Sequence, residues 1–95
     1  GLIYTMEGTI NIKNKKWKED FSVLDKNGTA SIDHIYSKAY VRHLMASKEI
    51  LGKQIASIHN LAFYIQLMKI ARTKIKEGVF YEWKKNIVPI LDTRL

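Results

Sequence analysis

The first twelve residues alternate in a way that predicts a β-hairpin. Leu2-Ile3-Tyr4 is a short apolar run, Glu7-Gly8 is typical of a turn, and Thr9-Ile10-Asn11-Ile12 alternates with period two. Two short strands are not stable alone in water. The hairpin therefore needs a sheet or helices to pack on, within this chain or beyond it.

A basic segment and a polar loop come next. Trp17 stands inside the run Lys13-Asn14-Lys15-Lys16-Trp17-Lys18, and such clusters can hold phosphates while the ring stacks on a base. We favour the other interpretation, in which Trp17 packs inward and the lysines are solvated. Residues 19–33 are predicted as a loop, because Asn27-Gly28 is a turn signal and many neighbouring residues are polar. Asp33 is the expected N-cap of the helix that follows.

A first helix is predicted over residues 34–50, with Gly52 at its C-terminal boundary. One of its stripes is an ordinary core face and consists of Val41, Leu44 and Met45. A second stripe points elsewhere and consists of Tyr36, Tyr40 and His43 at i, i+4 and i+7, with Ser47 on the same line. Such a stripe either covers a second surface or leaves its tyrosines half-exposed, and the helix alone does not decide between the two.

Two more helices are predicted in the rest of the chain. The second covers residues 57–76, with Ser57 as its N-cap and Gly78 after its end. Its expected core face consists of Leu61, Ile65, Met68 and Ile75. The third covers residues 79–88 and ends before Pro89, because proline disfavours helical geometry in the residue before it. The residues of this helix that should pack onto the others are Phe80 and Trp83.

The 95 residues suit one small, mostly α domain with a short N-terminal β-hairpin, or part of a larger domain. We divide the chain into a hairpin with a basic segment (1–18), a loop (19–33) and helices (34–88). Apolar residues make up 46%, which excludes a disordered tail, and no apolar run reaches the ~18 residues of a membrane span. No signal peptide is recognisable, and the start without Met fits a fragment as well as a removed tag.

The charge and the missing cysteines narrow the chemistry. The absence of cysteine removes disulfides, cysteine-based zinc fingers and cysteine nucleophiles. The formal net charge of +7 attracts polyanions such as nucleic acids through counterion release, although a solvated basic surface gives the same surplus. No single helix concentrates the charge on one face, so binding to a membrane surface is less favoured.

No pattern typical of catalysis is present. The five glycines are scattered and form no phosphate loop. The three histidines, His34, His43 and His59, lie too far apart in sequence for a local metal motif. Asp20 and Asp25 have no partner base nearby, which makes them weak candidates for acid–base catalysis. Composition and spacing alone therefore indicate a small, basic, α-rich domain without an assigned role.

Four sequence blocks add more, because they occur in a specific order. They are Thr9-Ile10-Asn11-Ile12-Lys13-Asn14 followed by Trp17-Lys18-Glu19-Asp20-Phe21, then Tyr36-Ser37-Lys38-Ala39-Tyr40-Val41-Arg42-His43-Leu44, then Glu49-Ile50-Leu51-Gly52, and then Ile58-His59-Asn60-Leu61-Ala62-Phe63-Tyr64. In order and spacing this set resembles the tRNA-guanine transglycosylases, also called queuine tRNA-ribosyltransferases. The resemblance covers about residues 2–85.

The resemblance implies the C-terminal part of a TIM-like (β/α) barrel enzyme with a small zinc-binding insertion. That family exchanges a guanine of the tRNA anticodon for a 7-deazaguanine base in queuosine biosynthesis. One aspartate attacks the ribose C1′ and a second handles proton transfer. Those aspartates belong to motifs that precede this segment, and they are not matched by Asp20, Asp25, Asp33 or Asp92. We therefore expect no catalytic residue here and no exchange activity from the 95-residue chain alone.

The zinc site of the family is the clearest departure. The resemblance places its Cys-x-Cys-x-x-Cys positions at Gly28, Ala30 and Asp33, and its histidine ligand at His59. One imidazole and one carboxylate are too few for the closed four-ligand cage of a structural zinc. We therefore expect no zinc and no other cofactor, and a degenerate loop held by turns and packing.

The resemblance also implies two partners. In the family the helix after the zinc loop contributes to a homodimer, and the matching aromatic face consists of Tyr36, Tyr40 and His43. A tRNA-facing surface would use basic residues, and the expected phosphate contacts are Lys13, Lys15, Lys16, Lys38 and Arg42. Without the barrel, the hairpin is expected to be poorly supported and its edge open to pairing in an oligomer.

The expected function is that of a non-catalytic C-terminal region that supports dimerisation and tRNA binding in a cytoplasmic enzyme. One alternative is a free-standing module that binds nucleic acid or another protein. The other is a catalytically silent partner subunit of a transglycosylase.

Overall fold

The computed structural model describes all 95 residues as an antiparallel hairpin followed by three α-helices. The strands are β1 (Leu2–Thr5) and β2 (Gly8–Asn11), and the helices are α1 (Lys38–Ala46), α2 (Ile50–Lys76) and α3 (Phe80–Leu91). Two short 3₁₀ turns, Lys15–Trp17 and Ser31–His34, lie between β2 and α1. The prediction of a mostly α fold with an N-terminal hairpin is confirmed.

One apolar core lies between the hairpin, α1 and the first half of α2. Its buried members are Ile3, Ile10, Ile12, Trp17, Leu24, Val41, Leu44, Ile55 and Ala56. Trp17 is only 9% exposed, while the lysines around it are exposed. The inward packing of Trp17 is thus confirmed, as is the core stripe of the first helix, in which Met45 packs against the cluster.

Both edges of the hairpin are occupied within the chain. The side-chain amide of Asn60 accepts from the backbone N–H of Tyr4 (3.2 Å) and donates to the carbonyl of Leu2 (3.0 Å). On the other edge, Thr9 donates to the carbonyl of Thr93 (2.8 Å) and accepts from the N–H of Leu95 (2.9 Å). The expectation of a poorly supported hairpin is therefore wrong, because an asparagine side chain and the C-terminal segment replace neighbouring strands.

The first helix begins later than predicted. Residues 19–30 form the expected loop, but α1 starts at Lys38, where the hydroxyl of Ser37 accepts from the N–H of Tyr40 (3.0 Å) as the N-cap. The prediction of Asp33 as the N-cap is wrong. Asp33 lies in the 3₁₀ turn and is 1% exposed, so its carboxylate is used inside the molecule.

The boundary between the first two helices was also misplaced. The helix α1 ends at Ala46, and Lys48 turns the chain with a φ of +58°. The chain then enters α2, so Gly52 and Ser57 lie inside that helix and are not boundary residues. A Cβ at Gly52 would lie 3.1 Å from Cβ of Leu44, which shows that the glycine allows α1 and α2 to pack closely.

The buried face of α2 differs from the predicted one. The residues that it buries are Gly52, Ile55, Ala56, His59 and Phe63. The predicted core residues are at least half exposed, at 64% for Leu61, 50% for Ile65, 56% for Met68 and 60% for Ile75. The reason is that the hairpin and α1 cover only the first half of α2, on the opposite side from these residues.

The third helix continues past its predicted end. It runs to Leu91 with Pro89 inside its last turn, where the missing N–H of proline removes a single helical hydrogen bond. Phe80 and Trp83 are half-buried and pack against each other, with ring centroids 5.8 Å apart. The predicted Gly78 boundary before this helix is confirmed, since Gly78 follows the end of α2 with a φ of +74°. None of the three helices combines the length and the hydropathy that crossing a membrane requires.

Candidate functional site

The segment after β2 carries three of the predicted phosphate contacts on exposed side chains. Lys13, Lys15 and Lys16 are all exposed, and the ammonium of Lys16 lies 4.8 Å from the centroid of the Trp17 ring. The guanidinium of Arg42 reaches this segment from α1, because its Nε donates to the carbonyl of Asn14 (3.2 Å). Four of the five predicted residues thus belong to this segment or to the part of α1 that contacts it, and we call the surface they form the basic face.

Lys38 differs from the other four. Its ammonium donates to the carbonyl of Val23 (2.8 Å) and to the hydroxyl of Ser22 (3.1 Å). The same hydroxyl donates to Oδ1 of Asp20, and this oxygen also accepts from the backbone N–H of Ser22 (3.0 Å). Lys38 therefore ties the loop to the start of α1.

Two lysines that the sequence did not single out extend the basic face. Lys48 and Lys53 line a crevice of about 310 Å³ together with Lys13, Gly1 and Glu49. Lys48 stands in the turn after α1, and Lys53 stands in the first turns of α2. Only the tight turn at residues 47–49 brings these positions beside the N-terminus, so linear spacing gave no signal of it.

The predicted aromatic face exists, although it does not lie on a single helix. Tyr36 precedes α1, and its ring stacks on that of Tyr40 with centroids 5.4 Å apart and planes at 18°. Tyr40 is 40% exposed and His43 is exposed one turn further along. Tyr36 also lines a shallow groove whose other apolar residues are Ile32, Leu51, Ile55 and Ile58.

A buried polar centre joins the loop, the hairpin and α2. Nδ1 of His59 lies 2.5 Å from Oδ1 of Asp33, and its Nε2 lies 2.7 Å from the carbonyl oxygen of Tyr4. The second carboxylate oxygen of Asp33 accepts from the N–H of Ala30 (3.1 Å). Both side chains are 1% exposed. A Cβ added at Gly28 would collide with the Asp33 carboxylate, so the loop packs tightly around it.

Two other carboxylates have altered acidity without a catalytic partner. The hydrogen bond from the hydroxyl of Ser22 lowers the pKa of Asp20 below its ordinary 3.8. Burial raises the pKa of Asp25 above the same value. Both line an open cavity of about 480 Å³, and neither is hydrogen-bonded to a histidine or a lysine. Their pKa values are therefore explained by local hydrogen bonding and burial in the loop.

Comparison with known proteins decides the family. The chain matches the family model for queuine tRNA-ribosyltransferase over residues 1–91. It is 44% identical over 88 residues to queuine tRNA-ribosyltransferases from Francisella tularensis subspecies mediasiatica (strain FSC147), novicida (strain U112) and tularensis (strain SCHU S4). The chain belongs to the queuine tRNA-ribosyltransferase family. The match covers 93% of this chain and 24% of the length of each of these relatives.

The residues of this family member do not fit the zinc that the sequence resemblance implies. The positions assigned to its ligands converge around Asp33 and His59, but Gly28 and Ala30 carry no donor atom. Each oxygen of Asp33 and each ring nitrogen of His59 already has a protein partner. No group of three or more His, Cys, Asp or Glu side chains is arranged to hold a metal ion. Two donors cannot complete the four-ligand cage of a structural zinc.

The same centre explains one of the matched blocks. In Ile58-His59-Asn60, the two polar residues bond to the outer edge of β1, at the carbonyl of Leu2 and at both backbone groups of Tyr4. In this member of the queuine tRNA-ribosyltransferase family, the block therefore joins α2 to the hairpin.

Proposed function

We propose that this chain is the C-terminal region of a tRNA-guanine transglycosylase acting in the cytosol. In that role it would help a barrel domain to exchange an anticodon guanine for a 7-deazaguanine base, and it would supply contacts for tRNA and for a second copy. The observation that supports this most directly is the family match over residues 1–91. The exposed apolar stripe of α2 is in keeping with contacts to further protein.

The basic face supports the tRNA-binding part of the proposal. Lys13, Lys15, Lys16 and Arg42 lie within one short stretch of surface, and Lys48 and Lys53 continue it. Phosphates attract such a surface through the release of counterions, without reading the sequence. Lys38 contributes less in this proposal, because its ammonium is already bonded to Val23 and Ser22.

The aromatic face supports the homodimer. The stacked rings of Tyr36 and Tyr40 form a rigid apolar surface with His43 at its end, and aromatic anchors of this kind dominate the energetics of interfaces. The groove beside Tyr36 is flanked by Leu51 and Ile58, which are 39% and 52% exposed. A second copy that covered this face would remove that apolar surface from water.

In this proposal the catalytic residues lie outside this chain, and an assay of guanine exchange into tRNA tests that part of it. The 95-residue chain is incubated with tRNA and radiolabelled guanine, in parallel with a queuine tRNA-ribosyltransferase from Francisella tularensis as the positive control. The proposal expects tRNA binding without incorporation of label by the chain. Incorporation above the level of a protein-free reaction would contradict it.

The same assay separates the proposal from a catalytically silent partner subunit. The chain is added to a preparation of the Francisella enzyme at increasing ratios. A C-terminal region that belongs to its own barrel leaves the specific activity unchanged, or lowers it by competing for tRNA. An activation that saturates at a fixed ratio of chain to enzyme would favour the partner subunit instead.

A further inference from the structure

The buried contact between Asp33 and His59 stands where the family resemblance places a zinc ion. We infer that this Asp33–His59 bridge replaces the zinc as the tie between the loop, the hairpin and α2. The inference concerns the stability of the loop, so it holds or fails independently of the proposed tRNA function.

The bridge contacts the loop, the hairpin and α2. Asp33 belongs to the 3₁₀ turn, and its Oδ2 accepts from the backbone of Ala30 in the loop (3.1 Å). His59 belongs to α2 and contacts Asp33 through Nδ1 and the carbonyl of Tyr4 in β1 through Nε2. One pair of side chains thus links three separate segments of the fold.

The hydrogen-bond partners of the pair fix where its protons lie. The carbonyl of Tyr4 can only accept, so Nε2 of His59 donates to it. A second proton must lie between Nδ1 and Oδ1 of Asp33, because two lone pairs at 2.5 Å would repel each other. The pair is therefore neutral as a whole, which is the state that a site with 1% exposure favours.

Gly28, which carries no donor atom, packs directly against the bridge. The space beside Gly28 is filled by the carboxylate of Asp33, since a Cβ there would lie 2.8 Å from Cβ of Asp33 and still closer to its carboxyl carbon and Oδ2. A side chain at position 28 is thus incompatible with the bridge in its present geometry. Glycine at 28 and the aspartate at 33 therefore suit each other.

A double-mutant cycle tests the bridge. Asp33→Asn and His59→Gln are compared with the double variant and with the control Asp92→Asn, which removes an exposed charge on the C-terminal side of α3. Each single substitution should raise the unfolding equilibrium constant by about a hundredfold, because it leaves a buried partner without its proton or its charge. The double variant should lose much less than the sum of the two. Additive losses, or losses no larger than that of the control, would overturn the inference.

A metal measurement supplies the second, independent readout. The purified 95-residue chain should hold less than about 0.1 zinc per chain, and a chelator should leave its midpoint of thermal unfolding unchanged. The triple variant Gly28→Cys, Ala30→Cys, Asp33→Cys restores three thiolates opposite His59. It should bind one zinc per chain and unfold at a lower temperature once the chelator is added. If this variant is unfolded without metal, a zinc titration that restores its helical signal gives the same answer. Stoichiometric zinc in the unaltered chain, or no zinc-dependent folding of the triple variant, would overturn the inference.

Discussion

At the scale of single residues, side chains that bond to the backbone hold the loop between β2 and α1. Asp25 accepts from the N–H of Asn27 (3.1 Å), and Asp20 accepts from that of Ser22 (3.0 Å). Lys38 then donates to the carbonyl of Val23. The many polar residues of this stretch are therefore the framework of the loop.

Asp20 gives this framework a predictable dependence on pH. Its pKa is lowered mainly by the hydroxyl of Ser22, so its contribution to stability is present above its unfolded pKa near 4 and is lost as the pH falls through the lower folded value. Ser22→Ala should remove most of this contribution. Because the carboxylate of Asp20 is partly open to solvent, which screens its interactions, the loss at neutral pH should stay below about 1 kcal/mol. Thermal unfolding between pH 2 and pH 7 measures it, with Ser57→Ala on α2 as the control. An identical pH profile for Ser22→Ala and the unaltered chain would contradict the assignment.

At the scale of elements, α1 and α2 end with the same hydrogen-bond pattern built from different residues. After α2, Gly78 donates to Ile75 and Val79 donates to Lys74. After α1, Lys48 donates to Met45 and Glu49 donates to Leu44. Both are Schellman motifs, whose central residue needs a positive φ. Gly78 meets that need without strain, whereas Lys48 adopts a φ of +58° with a side chain attached.

Introducing glycine at one helix end and removing it from the other should change the free energy of unfolding in opposite directions. Lys48→Gly should raise the free energy of unfolding by about 0.5–1 kcal/mol, because it removes the strain of a left-handed backbone. Gly78→Ala should lower it by about 1 kcal/mol, although a Cβ at that position would meet no atom within 4 Å. Chemical denaturation of both variants measures the two changes. Shifts of the same sign would show that backbone geometry is not their cause.

These helix ends also show which parts of the fold could be predicted from the sequence. Glycine is a recognised residue for the end of a helix, and Gly78 correctly predicted the end of α2. The alternation of residues 2–12 correctly predicted the hairpin. Lys48 gives no such signal, so the sequence predicts a first helix over residues 34–50 with Gly52 as its boundary. In the structure Gly52 lies inside α2 and allows its close contact with α1. The buried side of α2 could not be read either, because apolar residues occur all round the helix and only the partners decide which of them are covered.

The candidate sites also include residues that the sequence could predict and residues that it could not. The lysines of residues 13–16 were predictable as one exposed group, because they lie close together in sequence just before an inward-facing tryptophan. The addition of Lys48 and Lys53 depends on a turn that sequence did not reveal. Asp33 and His59 are 26 residues apart, and only the family resemblance gave a reason to place them together.

At the scale of the whole molecule, the chain is elongated, with extents of 46 × 22 × 19 Å. The 27 residues of α2 explain this, because at ~1.5 Å per residue the helix alone spans about 40 Å. Its first half belongs to the core, and its second half is covered on one side by α3. The exposed stripe of Leu61, Ile65, Met68 and Ile75 begins near the middle of α2 and continues along its second half. This shape leaves the aromatic face and the basic face free at the opposite end.

The aromatic face yields a prediction about self-association. Tyr40→Ala should raise the dimer dissociation constant by at least about tenfold, because it removes one ring of the stacked pair. Tyr81→Ala is the matched control, since Tyr81 on α3 is 81% exposed and lies outside the face. Sedimentation velocity over a range of protein concentrations measures both. A sedimentation profile that Tyr40→Ala leaves unchanged would count against the proposed dimer.

The most direct test of the central claim is the affinity of the 95-residue chain for tRNA as a function of salt concentration. Fluorescence anisotropy with labelled tRNA compares the unaltered chain with Lys15→Ala/Lys16→Ala on the basic face and with Lys84→Ala/Lys85→Ala on α3, which removes the same charge elsewhere. We predict that the first variant binds about tenfold more weakly, with a salt slope shallower by about 1–2, and that the second binds as the unaltered chain does. Equal losses in the two variants, or no binding of tRNA by the unaltered chain, would contradict it.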